Sequence, residues 1–420
     1  MSSAPSRPPR LRIVTREIAP IDDLLAYADP ADPLVWARGG SWLVGVGSAL
    51  TLTAPAADAA TLADRWRDVA AAAVVDDHVK APGTGLIAFG ALPFDTQSAS
   101  SAVLTVPLLT VGSREGRTWA SWVLPDDGAP EPDEPRAIDY GPHWSAAVGP
   151  GALTPEGYQD AVRAGLAAIS SGEVSKVVLA RDLAGTVPAG ADLRRLVRSL
   201  ASAYPDTWVY AVDGLIGASP ETLVTVSGGQ VTARVLAGTV ARGSSPDADR
   251  DAALRLATSA KDLAEHQYAV RSLVDALTPH TSALAAAEQP FTLALPNVWH
   301  LATDVEATTS PETSALDLLG VLHPTAAVAG TPTAAALAAI RRIEPFDRGR
   351  YAGPVGWVDG DGDGEWAIAL RGAQFDLAAA DAGGIPFRAH AGAGIVAGSD
   401  PESEMLETRV KFRPIVDALA

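Results

Sequence analysis

The chain has 420 residues, a formal net charge of −18, 47% hydrophobic and 20% charged residues, ten tryptophans and no cysteine. That length suits one large unit or two intimately packed halves around a sizeable core. The acidic balance argues against nucleic acid or an anionic membrane as partner, and the missing cysteine excludes disulfides, thiolate nucleophiles and cysteine-ligated zinc.

The opening residues, "MSSAPSRPPRLRIVTR", are basic but lead into no apolar stretch, and nowhere do eighteen apolar residues run together. A cytoplasmic protein with no membrane span is expected. Residues 34 to 53, "LVWARGGSWLVGVGSALTLT", alternate β-formers with glycine turns; "AADAATLADRWRDVAAAAVVDD" reads as a helix and "GLIAFGALPF" as a strand. The segment "PDDGAPEPDEPRAIDYGP", residues 125 to 142, has little to bury and marks a soft boundary. It separates an N-terminal region, 1–140, from a second part, 150–418.

Beyond it, "TPEGYQDAVRAGLAAISSG" predicts a helix with Thr154 as N-cap, Pro155 in the first turn and Gly172 as the stop. Strands and hairpins follow through "VSKVVLARDL" and "TWVYAVDGLIGASPETLVTVSGGQVTARVLAGTV". A single long helix is expected from about Pro246 to Leu277, with Leu254, Leu263, Val270, Leu273, Val274 and Leu277 on its apolar face. Strands recur at "YAGPVGWV", "GEWAIALRGAQF" and "FRAHAGAGIV". The fold class is therefore α/β in the α+β sense, with mixed, mostly antiparallel sheets in a β-sandwich core and helices outside. Between two of those strands, Asp359, Asp361, Asp363 and Gly364 imitate the start of a calcium loop, but its twelfth position is Leu370 and no helix flanks it, so a hairpin turn is expected.

The last helix, in "GSDPESEMLETRVKF", starts with Asp400 as N-cap and Pro401 at the first position. Met405, Val410 and Phe412 are expected in the core, while Glu404, Glu407 and Lys411 share a face. Two carboxylates on one face repel unless a cation lies between them; a solvated face with a Glu407–Lys411 pair is the alternative reading.

Ten segments occur in order: "KVVLAR" (Lys176 to Arg181), "GASPE" (Gly217 to Glu221), "LAGT" (Leu236 to Thr239), "AEH" (Ala264 to His266), "WHLAT" (Trp299 to Thr303), "LHPTAAVAG" (322–330), "EPFDRGRYAGPVGW" (344–357), "ALRGAQ" (369–374), "AGAGIV" (391–396) and "EMLETRVK" (404–411). Together they resemble the chorismate-utilising enzymes, with an anthranilate synthase component I-like fold, and within that family the isochorismate synthases. The resemblance covers about residues 150 to 418. It implies Mg²⁺-dependent conversion of chorismate to isochorismate, by water addition at ring carbon C2 and loss of the C4 hydroxyl.

The resemblance also implies roles. Glu265 and Glu407 would hold Mg²⁺ against the ring carboxylate, with Glu404 and Asp262 reaching the ion indirectly; an all-oxygen set suits magnesium. Lys176 would be the general base toward water and Glu221 the general acid toward the leaving hydroxyl, each needing a burial-shifted pKa. Arg371 would clamp the enolpyruvyl carboxylate in two places, helped by Tyr351 and the backbone at Gly392 and Gly394. Lys411, Gly238 and Thr239 would meet the ring carboxylate or hydroxyl, and His300 would lie near the leaving group.

On local sequence alone Lys176 also fits a snorkelling strand-edge lysine, Glu221 a strand-edge acid, Glu265 a solvated helix acid and His300 a structural histidine. The family pattern is departed from at Ala326, where proline is common, and at Ala329, where glycine is frequent. Within the family Lys176 favours water over ammonia, so no obligatory glutaminase subunit is expected, and a monomer is. Salicylate synthase, which goes on to eliminate pyruvate, and a catalytically silent metabolite-binding relative are the alternatives.

Overall fold

The computed structural model describes residues 10–124, 136–294, 298–310 and 313–420; the side chains of Thr239, Ala241, Lys261, Glu265 and Val298 lie outside that description, as does most of the proposed linker. Two large sheets form the body of the molecule, and their strands run mostly antiparallel. Each sheet mixes strands from both ends of the chain. In the first, Leu34–Arg38 pairs with Trp208–Val212; in the second, Ile87–Ala91 pairs with Pro354–Asp359. The N-terminal region thus supplies strands to the same sheets as Lys176–Val187 and Gln230–Ala241, two of the strands that carry the motifs.

The facing sheets close over an aromatic layer. Trp36 stacks on Trp208 with ring centroids 4.9 Å apart, and Trp36, Phe89, Trp119, Tyr210 and Trp357 are all buried there. Buried indole N–H groups need acceptors. Glu365 supplies one, taking hydrogen bonds from Trp36 (2.9 Å) and Trp357 (3.1 Å) while Arg114 pairs with its other oxygen at 2.7 Å.

Several helix ends form as their caps predict. Thr154 accepts from the Gly157 N–H at 3.1 Å to start Pro155–Ser170, and Gly172 takes the left-handed conformation after it (φ 78°). Asp400 accepts from Ser403 N–H at 2.9 Å at the head of Pro401–Ala418. The long helix expected from Pro246 is instead two, Pro246–Thr258 and Ala260–Leu277. The break falls at Ser259, whose backbone is extended and whose hydroxyl caps Asp262 N–H at 3.3 Å. The first of the two helices buries Ala252 and Leu256 and leaves Leu254 63% exposed, outside the core. Val410 is likewise 39% exposed rather than buried, whereas Met405 and Phe412 are in the core. The Asp-rich turn is the expected hairpin, between Pro354–Asp359 and Gly364–Ile368.

Candidate functional site

Lys176 opens a long strand, Lys176–Val187, that pairs along its length with Ile385–Ile395, setting Val178 opposite Gly394 and Ala180 opposite Gly392. A Cβ on Gly394 would stand 3.0 Å from Lys176 Cε and 3.7 Å from its Nζ. The lysine side chain therefore lies across the bare backbone of "AGAG", where any larger residue would displace it. Two pairs further along, the Gly392 carbonyl accepts from Lys411 Nζ at 2.8 Å. Lys411 also pairs with Glu407, one turn earlier on the C-terminal helix, at 2.6 Å.

Glu221 follows the strand Leu215–Ser219. Its backbone is fixed twice: its N–H donates to Ser219 Oγ at 3.2 Å, and its carbonyl accepts from Ile368 N–H at 3.0 Å. Burial pushes its carboxyl pKa up, against the opposing pull of Lys176, Lys411 and Arg371. Those three cations act on Glu221 through charge, which places the motif residues around one acid. Arg371 sits at positive φ (55°) just beyond the strand Gly364–Ile368, and its pKa is lowered by burial against the charges of Tyr351, Glu407, Tyr204 and Glu221. Tyr351 has its phenol pushed up to about 12 by burial, and its ring stacks on His390 at 5.0 Å.

On the opposite wall, strands Gln230–Ala241 and Val298–Thr309 pair with a bulge between Ala237 and Thr239. Gly238 at the bulge has φ 77°, and a Cβ there would meet Leu301 (3.2 Å) and Asp262 Cβ (3.3 Å), so "LAGT" turns tightly beside the Ala260–Leu277 helix. His300, opposite Thr239, has its pKa lowered by burial, opposed by a hydrogen bond with the Gly238 backbone; Lys411, Lys176 and Glu407 also act on it. The imidazole, pushed toward its neutral form, thus feels Lys176 and Lys411, two of the cations that act on Glu221. Glu404 has its carboxyl raised chiefly by burial, with Glu407 adding repulsion and the Ser399 hydroxyl opposing it.

The structure therefore gathers Lys176, Glu221, His300, Tyr351, Arg371, Gly392, Glu404, Glu407 and Lys411. For Thr239 and Glu265 it gives the backbone position alone; among the described residues, no group of three or more His, Cys, Asp or Glu stands ready to hold a metal.

The segment 142–420 matches the model of the chorismate binding enzymes. The chain belongs to that family. It is 41% identical to the isochorismate synthase DhbC of Bacillus subtilis over 63% of its own length and 68% of the relative's. A Mycobacterium tuberculosis protein proposed to be an isochorismate synthase, MenF, is 40% identical over 80% of this chain and 87% of that one. Among solved structures, a proposed 2,3-dihydroxybenzoate-specific isochorismate synthase, DhbC of Bacillus anthracis, superposes with a TM-score of 0.73 at 32% identity, covering 94% of this chain and 98% of the other.

Within this chorismate-binding segment three buried groups carry more than their sequence signals. His266 is 1% exposed; its Nδ1–H donates to the Ala237 carbonyl (3.1 Å) and its Nε2 accepts from the Thr303 hydroxyl (2.7 Å), so it ties the Glu265 helix to the Gly238 bulge. Glu344 and Arg348 form a buried pair at 2.6 Å beneath the Lys176 strand. Their spacing of four was visible in "EPFDRGR"; their burial was not.

Proposed function

We propose that the chain is an isochorismate synthase, adding water to C2 of chorismate and releasing the C4 hydroxyl. The observation that carries it is one buried acid with a raised pKa, Glu221, set among Lys176, Lys411 and Arg371. A carboxyl that holds its proton to a higher pH than usual is suited to give it to a departing hydroxyl. Lys176 takes a proton from the water attacking C2; Glu221 protonates the oxygen leaving C4. One water is added and one is lost, so product and substrate are isomers, and proton exchange with solvent resets the pair. Arg371 meets the enolpyruvyl carboxylate as a planar fork, with Tyr351 beside it, and Lys411, Gly238, Thr239 and His300 line the ring side.

Glu407 and Glu265 would hold Mg²⁺, with Glu404 and Asp262 acting through water. The donor set fits: it is all carboxylate, and Glu404 and Glu407 lie near enough to raise the Glu404 pKa. Bound there, the ion would neutralise the ring carboxylate of the substrate. Among the described residues no helix is long and apolar enough to cross a membrane, and the net charge of −18 disfavours nucleic acid as a partner. In this reading the chain works in the cytoplasm as a monomer and needs no glutaminase. In this reading residues 150–418 form the catalytic part, and described strands of the N-terminal region extend its two sheets.

The test is incubation with chorismate and Mg²⁺, with products identified by mass and absorbance. An isomer of unchanged mass, little pyruvate, and loss of turnover in excess chelator or in Glu407→Gln are expected. Abundant salicylate and pyruvate would make the chain a salicylate synthase, ammonia-dependent amination would overturn the role of Lys176, and binding without turnover would mark a silent relative.

A further inference from the structure

One edge of the Lys176–Val187 strand is fully paired with Ile385–Ile395, but the other is not. There Gly330–Thr331 covers Lys176 and Val177, and Ala147–Pro150 covers Leu183–Thr186. Between them, among the described residues, no strand lies beside the backbone at Val178 and Ala180, and buried backbone groups must find partners. Val178 N–H donates to the Ala329 carbonyl at 2.9 Å. Two more are met by side chains: Arg348 Nη2 donates to the Val178 carbonyl at 2.8 Å, and Glu344 Oε1 accepts from Ala180 N–H at 2.8 Å. A single ion pair does the work of a short strand.

The pair is closed on itself and reaches a third segment. Arg348 Nε and Nη2 donate to the two oxygens of Glu344 at 2.9 and 2.6 Å, and Nη1 donates to the Val328 carbonyl at 3.0 Å. The side chains of Arg348 and Glu344 are 2% and 1% exposed. Three residues on, Tyr351 N–H donates to the Arg348 carbonyl at 3.0 Å. Thus the lysine strand, the 322–330 loop and the turn carrying Tyr351 are pinned at one guanidinium. Apolar residues of similar volume can match a buried ion pair in stability, but here they would leave Val178, Ala180 and Val328 without partners. The covered stretch faces Gly392 and Gly394, the glycines that carry Lys411 and Lys176.

We propose that Glu344 and Arg348 are positioning residues for Lys176, holding the active-site end of its strand in register with the "AGAG" backbone. The proposal rests on Lys176 being the base. Arg348→Lys keeps the charge but cannot span Glu344, Val178 and Val328 together; Glu344→Gln keeps the shape but weakens the fork. Each variant, with its circular dichroism retained, should lose about tenfold or more in kcat, as expected for a small misplacement of a reacting group. KM should change less than kcat, because Arg371, the main clamp on the substrate, is retained, while the turn carrying Tyr351 loses one tie. Independently of substrate, the rate at which acetic anhydride acylates Lys176, read by peptide mass against the exposed Lys80, should change with pH differently from wild type.

Folded variants with unaltered kcat and unaltered Lys176 labelling would overturn the proposal. So would rapid hydrogen exchange at the Ala180 amide in the wild-type protein, a measurement that stands even if both variants misfold. If wild type fails to convert chorismate, the functional reading falls, while exchange and labelling still judge the pair.

Discussion

Glu365 and Glu221 both lie in the sandwich, yet their surroundings are opposite. Glu365 is saturated: two tryptophan N–H groups and the Arg114 guanidinium meet its oxygens, so its charge links strands of both sheets. At Glu221 burial outweighs the attraction of three neighbouring cations, and the carboxyl moves toward its protonated form. A carboxylate supplied with donors becomes structure. One supplied with charge but starved of solvent holds its proton to a higher pH than an ordinary carboxyl does.

The comparison is broken most directly by removing the transferable proton. Glu221→Gln should lower kcat by about a hundredfold or more, as should Lys176→Ala, with substrate affinity less affected; steady-state kinetics measure both. If either retains wild-type kcat, its assigned role is wrong.

The converse experiment is Glu365→Leu, which strands the Trp36, Trp357 and Arg114 donors. It should cost about 2 kcal/mol in denaturant unfolding while kcat of the folded protein stays near wild type. A large loss of kcat without a loss of stability would erase the distinction between the two acids.

Arg371→Lys tests the charge around Glu221 without removing it, and should raise KM for chorismate by about tenfold, since an ammonium cannot make two parallel bonds to a carboxylate. Unchanged KM would put Arg371 outside the binding pocket.

The smallest effect is on stability against pH. Burial raises the folded pKa of Glu221 above the ordinary 4.5, so between those values the native chain holds a proton that the unfolded chain has released. Its contribution to stability is therefore greatest below the ordinary value and declines as pH rises through the raised one. The melting temperature of Glu221→Gln relative to wild type should increase from mildly acidic to neutral pH, and a flat difference would contradict the raised pKa.

Much of this was legible where chemistry is local. Thr154 and Asp400 announce their helices because a cap needs only the next three residues. Glu404, Glu407 and Lys411 share a face by spacing, and the Glu407–Lys411 pair forms. The family motifs brought Lys176, Glu221 and Arg371 together on paper before the fold did. The helix break was missed because apolar residues continue at a helical period through Ser259, and it took a hydroxyl cap to restart the helix there. Glu344 and Arg348 were missed for another reason: their partners at Val178, Ala180 and Val328 lie far away in sequence, and no local pattern reports a gap in a distant strand's edge.

The pairing of Lys176–Val187 with Ile385–Ile395 also has a consequence for biosynthesis. A ribosome releases the lysine strand some two hundred residues before its partner, and the tertiary contacts that define the site span most of the chain. Until the glycines near residue 394 emerge, the nascent lysine strand lacks the neighbour that fills its main edge. Ribosome-bound chains stopped short of that point should therefore engage chaperones that shield unpaired β-edges, and should release them once the last helix is made.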